Sequence, residues 1–218
     1  MLKKIYLSPL GYIISFIQNI LALVQRPFMV YGFYNNIQKK FMKLTRISSS
    51  TKILSKKNLD INDHVWIGHY CLLDASNNIE LGKGVQTGPF VSIFSHSSHI
   101  SIRLLGDNYL QTNDRVGYID GKVVIGAYSF IGTSSTIFPG VTIGKGCLIK
   151  AGSIVTKSIP DFSIVSGNPA EITGSVLNMD EKYFQNETVQ KHYFDKEIIK
   201  EWKNKNKDKD KNNANTIS

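Results

Sequence analysis

A strict six-residue spacing of aliphatic side chains constrains the fold of this chain more than any other feature. From residue 125 to residue 155 every sixth residue is aliphatic, and residues 61 to 91 repeat the pattern: Ile125, Ile131, Ile137, Ile143, Ile149 and Val155, and before them Ile61, Ile67, Leu73, Ile79, Val85 and Val91. This period fits neither an α-helix, which repeats about every 3.6 residues, nor a simple two-sided strand. It predicts a chain that turns a corner every six residues, with one aliphatic side chain pointing inward on each side.

Three such sides close a triangular coil, and stacked coils pair each short strand with the strand above it. The inward aliphatic side chains then form a continuous core. A second position lies four residues after each aliphatic residue. Between residues 125 and 155 this position holds only small or β-branched residues: Ser129, Ser135, Val141, Cys147 and Ser153. Between residues 61 and 91 its residue types are more varied: Val65, Cys71, Asn77, Lys83 and Pro89. We therefore interpret the two cysteines as inert buried thiols.

The run from Ile125 to Pro160, followed by SGNPA at residues 166–170, resembles the hexapeptide-repeat acyltransferases, especially the galactoside, maltose and surface-polysaccharide O-acetyltransferases. The resemblance implies a mainly β fold, a left-handed parallel β-helix, with α-helices at the N- and C-terminal ends. It also implies acetyl-CoA as acyl donor and a homotrimer with active sites between subunits. We expect an N-terminal helical segment over residues 1–45, the β-helix over 46–174, a C-terminal helix over 175–202 that caps the solenoid, and a disordered Lys/Asn-rich tail over 203–218.

The repeat breaks after Val91, because Ile125 follows at a distance that is not a multiple of six. We predict a protruding loop over residues 97–120, which contains Arg103, Asp107, Tyr109, Asp114, Arg115 and Tyr118. Long insertions on a rigid scaffold are commonly functional. His96 stands where this loop begins, and histidine can accept and return a proton near neutral pH. Acyl transfer from a thioester to a hydroxyl needs such a base, in a direct transfer without a covalent enzyme intermediate.

The sequence SHSSH at residues 95–99 is similar to the histidine motif that opens the extended loop of the sugar O-acetyltransferases. The resemblance places His96 as the catalytic residue and His99 as a substrate-side or structural residue. It matches Asp74 to the aspartate that hydrogen-bonds the acceptor sugar, although a turn aspartate capping its own backbone is an equal alternative. Arg103 is a weaker candidate for contact with an acceptor hydroxyl or anionic group.

The same resemblance implies the residues that hold acetyl-CoA. They are Phe130, Gly132, Thr133, Ala151, Thr156 and Lys157. A small residue lets the pantetheine arm approach the backbone, and a lysine can meet a phosphate. The family usually places Lys or Arg after SGNPA, where this chain has Glu171, so the contact to the nucleotide 3′-phosphate is in question and Lys145 or Lys150 could substitute.

The sequence leaves three alternatives open. Amino-sugar N-acetylation would use the same base. A zinc protein resembling the γ-type carbonic anhydrases could draw on His64, His69, His96 and His99, but their order and spacing do not match that family, so we expect no metal. A non-catalytic scaffold is the third. Within acyl transfer, we expect the acceptor to be a sugar hydroxyl of a cell-surface glycan or its precursor.

The net charge of +9 does not indicate nucleic-acid binding, because no aromatic-rich basic motif accompanies it. Residues 5–26 contain an uncharged run with one polar stripe at helical spacing. This pattern favours packing on the protein's own core or on a neighbouring subunit, then peripheral contact with a membrane, and least of all a spanning helix. Few cysteines and the lack of a cleavage site after the apolar run favour a cytoplasmic protein, and peripheral membrane contact, the second of these options, would place it at the inner face of the cytoplasmic membrane.

Overall fold

The computed structural model describes residue 5 and residues 7–215, with side chains described as far as residue 206. In chain order the elements are α1 (Pro9–Val24), β1 (Met29–Asn35), β2 (Lys40–Ser48), β3 (Lys52–Leu54), β4 (Leu59–Ile61), β5 (Trp66–Ile67), β6 (Leu72–Asp74), β7 (Ile79–Leu81), β8 (Gln86–Thr87), β9 (Ser92–Phe94), β10 (His96–Ser97), α2 (Ser101–Leu105), β11 (Ile119–Asp120), β12 (Val123–Ile125), β13 (Phe130–Ile131), β14 (Thr136–Ile137), β15 (Thr142–Ile143), β16 (Leu148–Ile149), β17 (Ile154–Val155), β18 (Ser163–Gly167), β19 (Ala170–Ser175), α3 (Val176–Asp180), α4 (Glu187–His192) and α5 (Lys196–Asn215).

Three sheets form the sides of a triangular solenoid. Sheet A has the strand order β1-β2-β5-β8-β13-β16-β18-β19, sheet B has β17-β14-β9-β6-β3, and sheet C has β15-β12-β7-β4. Neighbouring strands from successive coils are parallel, whereas the β1–β2 and β18–β19 pairs at the two ends of sheet A are antiparallel. The predicted coils are therefore present, with two- and three-residue strands separated by corners.

The length of the coils differs from the prediction in the first half of the solenoid. Ile61 lies opposite Leu81, so this coil has 20 residues, whereas Ile125 lies opposite Ile143, which gives the 18 expected from three six-residue sides. Two additional residues occupy the corner between sheets B and C, which we call the B–C corner. The short 3-10 helix Lys56–Asn58 lies at the same corner one coil earlier, and the predicted loop leaves it one coil later.

Because of these two additional residues, the core positions predicted after Leu73 are wrong. Leu81 and Ile93 continue the first inward column, whereas Ile79, Val85 and Val91 fall in the second column and are fully buried there. The residues predicted for the second column, Asn77, Lys83 and Pro89, are half-buried or exposed. A six-residue count cannot anticipate the change, because the extra residues sit in a corner and leave both neighbouring strands intact.

The two cysteines follow the prediction for the second column. Both are free and buried, and the pKa of each thiol is raised, chiefly by burial. A thiol with a raised pKa is a poor nucleophile near neutral pH. Their place in the core is therefore structural.

The N-terminal segment is only partly helical, contrary to the prediction for residues 1–45. Helix α1 is followed by the antiparallel hairpin β1–β2, which begins sheet A; residues 1–4 and 6 lie outside the described residues. All residues of α1 are exposed except the buried Gly11 and the half-buried Ile14. Packing of the helix on the protein's own core is therefore contradicted. Among the described residues, no helix combines the length and hydropathy needed to cross a membrane.

Asn35 secures the hairpin to the first coil. Its side chain is fully buried, and Nδ2 donates to Asp60 Oδ1 at 2.7 Å and to the Ile61 carbonyl at 2.8 Å. Its Oδ1 accepts from the backbone N–H groups of Ile37 and Gln38. One side chain thus satisfies polar groups of both the hairpin turn and strand β4, which is the edge strand of sheet C.

Replacing Asn35 by alanine is expected to lower the free energy of unfolding by about 2 kcal/mol, because it leaves buried polar groups without partners. Urea titration followed by circular dichroism measures this loss. The neighbouring Asn36 has no side-chain hydrogen bond within the described part of the chain, so Asn36→Ala is the control and should change stability little. Equal losses in both variants would show that the Asn35 network is not what stabilises the hairpin.

The C-terminal segment forms three α-helices and the 3-10 helix Glu181–Tyr183 rather than the single helix predicted over residues 175–202. Phe194 packs against Tyr128 and Phe162 at ring-centroid distances of 4.8 and 5.8 Å, and Lys145 Nζ contacts Asp195 Oδ2 at 2.7 Å. Helix α5 continues to residue 215, through most of the tail predicted to be disordered. That segment contains no proline or glycine, so its sequence permits a helix despite its polarity.

Candidate active site

The candidate site lies at the B–C corner where the repeat breaks. Asp74 ends strand β6 and lies directly opposite Phe94 at the end of β9. The backbone N–H of Ser95 donates to the Asp74 carbonyl at 3.2 Å, and its hydroxyl donates to the same oxygen at 2.7 Å. The chain then leaves the coil at His96. Because Ser95 is buried and bonded to the preceding coil, His96, the first residue of the inserted loop, is held beside the Asp74 carboxylate.

Asp74 and His96 form a carboxylate–imidazole pair. Asp74 Oδ2 lies 3.1 Å from His96 Nδ1, and the exposed fractions of the side chains are 7% and 30%. Nδ1 is buried, yet the alignment does not meet hydrogen-bond geometry, so the contact in this conformation is electrostatic. Asp74 Oδ1 accepts from the N–H and the hydroxyl of Ser76 at 3.1 and 2.6 Å. The turn-capping role considered for Asp74 is thus present, and its second oxygen faces the histidine rather than open solvent.

The insert begins and ends on a short antiparallel bridge that pairs His96 with Asp120 and Ser97 with Ile119. Between these strands lie α2 and a 3-10 helix over Gly106–Leu110. Gly117, with a φ of +76°, lies where a Cβ atom would be 2.8 Å from Ile100. A side chain there would be strained by the backbone and would collide with α2, so this glycine closes the insert onto its own helix.

An aromatic ring from the insert covers the histidine. The ring of Tyr118 stacks on His96 with centroids 5.7 Å apart and an interplanar angle of 14°. The guanidinium of Arg115 lies over Tyr118 at 5.6 Å and over Tyr109 at 5.2 Å. Burial is the main cause that raises the pKa of Tyr118, so its phenol is neutral near pH 7. The sequence showed Tyr118 only as one aromatic residue among several in the loop.

The other predicted acceptor residues lie elsewhere on the insert. His99 is exposed and its Nδ1 lies 2.8 Å from Ser97 Oγ, while Arg103 donates to the His99 carbonyl. Neither residue lines the cavity beside His96. The structure therefore gives them contacts within the insert and does not bring them to the Asp74–His96 pair.

A cavity of about 350 Å³ opens beside His96. It is lined by Asp74, Phe94, His96, Ser97, Ser98, Phe138 and Pro139. Two phenylalanines and a proline form an apolar wall, and the carboxylate, imidazole and hydroxyl groups form a polar one. Its size and mixed lining are typical of small-molecule sites. Phe138 and Pro139 come from the coil above, so the cavity depends on the stacking of three coils.

The residues predicted to hold acetyl-CoA fall at two corners of the solenoid. Phe130, Gly132, Thr133 and Ala151 lie at or beside the corner between sheets A and B. There a Cβ atom on Gly132 would come within 2.4 Å of the Ala151 backbone nitrogen, so the coils stack with no intervening side chain. Phe130, Thr133 and Ala151 are exposed, whereas Gly132 is buried.

Thr156 and Lys157 lie at the B–C corner instead, after strand β17. The backbone N–H of Phe138 donates to the Val155 carbonyl, so Thr156 stands one coil above the wall of the His96 cavity. Both residues are exposed. One side of the solenoid, roughly 15–20 Å at about 3.3 Å per residue, separates the two groups of predicted donor residues within one chain.

The two lysines considered as substitutes for a phosphate contact differ in their surroundings. Lys145 is paired with Asp195, which raises the pKa of the lysine and lowers that of the carboxyl group. Lys150 is exposed. Glu171 lies exposed on β19.

The three-histidine arrangement of the zinc alternative is not found in the part of the chain that the structure describes. No group of three or more His, Cys, Asp or Glu side chains there could hold a metal ion. His69, one of the residues considered, has its Nδ1 2.7 Å from Ser48 Oγ.

Comparisons with known proteins agree with the repeat and the fold. The family described as "Hexapeptide repeat of succinyl-transferase" matches residues 122–157. Curated relatives include serine acetyltransferase 4 of Arabidopsis thaliana, 27% identical over 75% of this chain and 43% of its own length. Serine acetyltransferase of Buchnera aphidicola subsp. Acyrthosiphon pisum is 32% identical over 82% of this chain and 57% of its own length. The chain thus spans about half the length of these two relatives.

Solved structures of similar chains include a maltose O-acetyltransferase from Clostridium difficile, with 26% identity, a TM-score of 0.50, and coverage of 59% of this chain and 64% of that one. A hexapeptide-repeat acetyltransferase from Vibrio cholerae, solved with acetyl-CoA, has the same identity and TM-score and covers 58% of this chain and 64% of that one. These matches confirm the predicted resemblance to the hexapeptide-repeat acetyltransferases, and with it the left-handed parallel β-helix fold.

Proposed function

We propose that this protein transfers an acetyl group from acetyl-CoA to a sugar hydroxyl, with His96 as general base. The observation that carries the proposal is the Asp74–His96 pair beside a cavity of small-molecule size, at the point where the solenoid opens into its insert. The similarity to acetyltransferase structures, one of them solved with acetyl-CoA, supports the donor.

The chemistry follows from which imidazole nitrogen the carboxylate faces. Asp74 lies beside Nδ1, which favours the tautomer that carries its proton there and leaves Nε2 with a free lone pair. Nε2 takes the proton of the acceptor hydroxyl as the oxygen attacks the thioester carbonyl carbon. When the tetrahedral intermediate collapses, the carbon–sulfur bond breaks and the imidazolium returns the proton to the departing thiolate. Asp74 stabilises the transient positive charge.

A homotrimer with active sites between subunits fits the separation of the predicted donor residues. Thr156 and Lys157 lie above the His96 cavity, whereas Phe130, Gly132, Thr133 and Ala151 lie one side of the triangle away. A neighbouring subunit that presents its A–B corner to the B–C corner of this chain would bring the two groups to one donor molecule. We propose this arrangement, in which each His96 serves a site completed by a second chain.

A second candidate is O-acetylation of an amino-acid hydroxyl. The relative with 82% coverage of this chain is a serine acetyltransferase, so L-serine belongs among the acceptors to be tested. Amino-sugar N-acetylation would use the same base. Mild alkali separates N-acetylation from both O-acetylations, because it cleaves an ester and leaves an amide, and the acceptor that supports turnover separates a sugar from L-serine.

The test is the release of free thiol from acetyl-CoA with a panel of sugars, glycan repeat units, amino sugars and L-serine. We expect acceptor-dependent release with a sugar hydroxyl and an alkali-labile product. Turnover only with an amino sugar or with serine would replace the proposed acceptor. A protein that is inert with every acceptor and contains stoichiometric zinc would overturn acyl transfer.

Tyr118 is expected to act as a positioning residue for His96. Removing the stacked ring in Tyr118→Ala should lower kcat by up to about tenfold, since an aromatic contact contributes about 0.5–1.5 kcal/mol. Tyr118→Phe should retain most activity because the ring remains. Tyr109→Ala is the control, since Tyr109 contacts Arg115 but not His96. Equal effects of the Tyr118→Ala and Tyr109→Ala variants would point to general disruption of the insert.

A further inference from the structure

The N-terminal quarter of the chain carries all of the protein's excess positive charge. Residues 1–59 contain ten basic residues and no acidic one, whereas the remaining 159 residues contain 16 basic and 17 acidic residues. In the described part, seven of the ten are exposed: Arg26, Lys39, Lys40, Lys43, Lys52, Lys56 and Lys57. None of these seven forms an ion pair with a described residue. Within the described part of the chain, these seven charges are thus not paired with acidic side chains.

Helix α1 adds a large apolar surface to the same end. Its apolar residues cover slightly more than half of the helix circumference at helical spacing, opposite a stripe formed by Gly11, Ser15, Gln18, Ala22 and Gln25. Tyr12 is 80% exposed, Phe16 67% and Ile17 51%. Nothing in the described part of the chain covers these side chains.

The hairpin continues the exposed apolar and basic character. Tyr34 and Phe41 are cross-strand partners, and each is half exposed. Lys40 and Lys43 lie on the same strand as Phe41. The segment that joins the helix to the hairpin is fixed to this region, because the backbone N–H of Phe28 donates to Ser49 Oγ and the Ser49 N–H donates to the Phe28 carbonyl.

We propose that α1 and the hairpin β1–β2 dock on an anionic lipid surface, with the helix lying in the membrane interface. An amphipathic helix buries its apolar face at the boundary between headgroups and acyl chains, and neighbouring basic residues are attracted to anionic headgroups. Charge complementarity selects this occupant over a second copy of the chain, because a copy would bring another strongly basic end against this one. The surface would hold the enzyme where a lipid-linked acceptor is presented.

The first experiment is co-sedimentation of the full chain with vesicles of phosphatidylcholine mixed with phosphatidylglycerol, and with vesicles of phosphatidylcholine alone. We expect binding to the anionic vesicles that weakens with added salt. Ile17→Glu should lower the partition coefficient by about tenfold, because it places a charge on the apolar face. Ala22→Glu makes the same addition of charge on the polar stripe and should bind like the wild type.

A second pair of variants tests the charge. Lys40→Glu with Lys43→Glu should weaken vesicle binding by more than about tenfold, since each basic residue near an anionic surface contributes about a fivefold factor. Lys203→Glu with Lys205→Glu makes the same charge change on α5 and should have little effect. An equal loss in both double variants would overturn the assignment of the surface to the N-terminal end.

Two outcomes would overturn the proposal outright. One is no sedimentation of the wild-type chain with anionic vesicles. The other is a fall in oligomeric mass of Ile17→Glu by light scattering with unchanged vesicle binding, which would show that a second copy covers the helix. Thiol release with a water-soluble acceptor, measured on the same variants, keeps this result separate from the proposed activity, since the two can fail independently.

Discussion

His96→Ala is expected to lower kcat for acetyl transfer by about 10³-fold, within the range that general base catalysis contributes. In the proposed reaction the substitution removes the imidazole that lines the cavity beside Asp74, so an acceptor hydroxyl would have to lose its proton to water. The KM values should change little, because the other residues that line the cavity remain. The measurement is steady-state thiol release with the best acceptor from the panel.

His99→Ala is the matched control, because His99 belongs to the same motif but is exposed and contacts Ser97. It should retain activity within about threefold, as expected for a surface substitution. Activity that survives in His96→Ala and is lost in His99→Ala would transfer the role of base to His99. Circular dichroism and the oligomeric mass of both variants establish that the fold is intact.

Asp74→Asn is expected to lower kcat by about 10²-fold while leaving the KM for the acceptor nearly unchanged. The amide has the shape of the carboxylate and can keep the contacts to Ser76, but it has no negative charge to face His96 Nδ1. An amide NH₂ group turned toward Nδ1 would also favour the wrong imidazole tautomer.

This variant separates the two roles considered for Asp74. A residue that hydrogen-bonds the acceptor would raise its KM when replaced, whereas a residue that orients the base lowers kcat. Asp120→Asn is the control, because Asp120 is the strand partner of His96 but is exposed. A large rise in KM with unchanged kcat would restore the acceptor-binding role inferred from the family resemblance.

The period of six was sufficient to predict the architecture, but not the register of the first coils. It placed Ile61 and Ile125 in the core and predicted three-sided coils, both of which the structure contains. It wrongly predicted Ile79 in the first inward column. The two additional residues of the B–C corner after Leu73 shift the later side chains to other positions in the coil, while the six-residue spacing on each side of the corner stays the same. The hairpin in residues 29–48 was also missed, since it precedes the repeats and has no period of six.

The candidate site could be predicted only in part from the sequence, because it too depends on the number of residues in each corner. The break in the repeat pointed to His96, since a regular pattern interrupted beside a histidine is visible along the chain. The partnership with Asp74, 22 residues earlier, depends on a 20-residue coil that sets Asp74 opposite Phe94. Tyr118 reaches the same imidazole from the far end of the insert, and nothing in the local sequence of the loop specifies that contact.

The sequence by itself therefore determined a coiled core, through the spacing of its inward aliphatic residues, and the point at which the coil opens. Only the tertiary structure decided which groups meet there. The repeat of aliphatic side chains predicts where the strands lie, because every strand follows the same local spacing. Which side chains of successive coils meet depends instead on how many residues each corner contains. The Asp74–His96 pair, the ring over the imidazole and the exposed basic N-terminal end all arise from that stacking and from what it leaves uncovered.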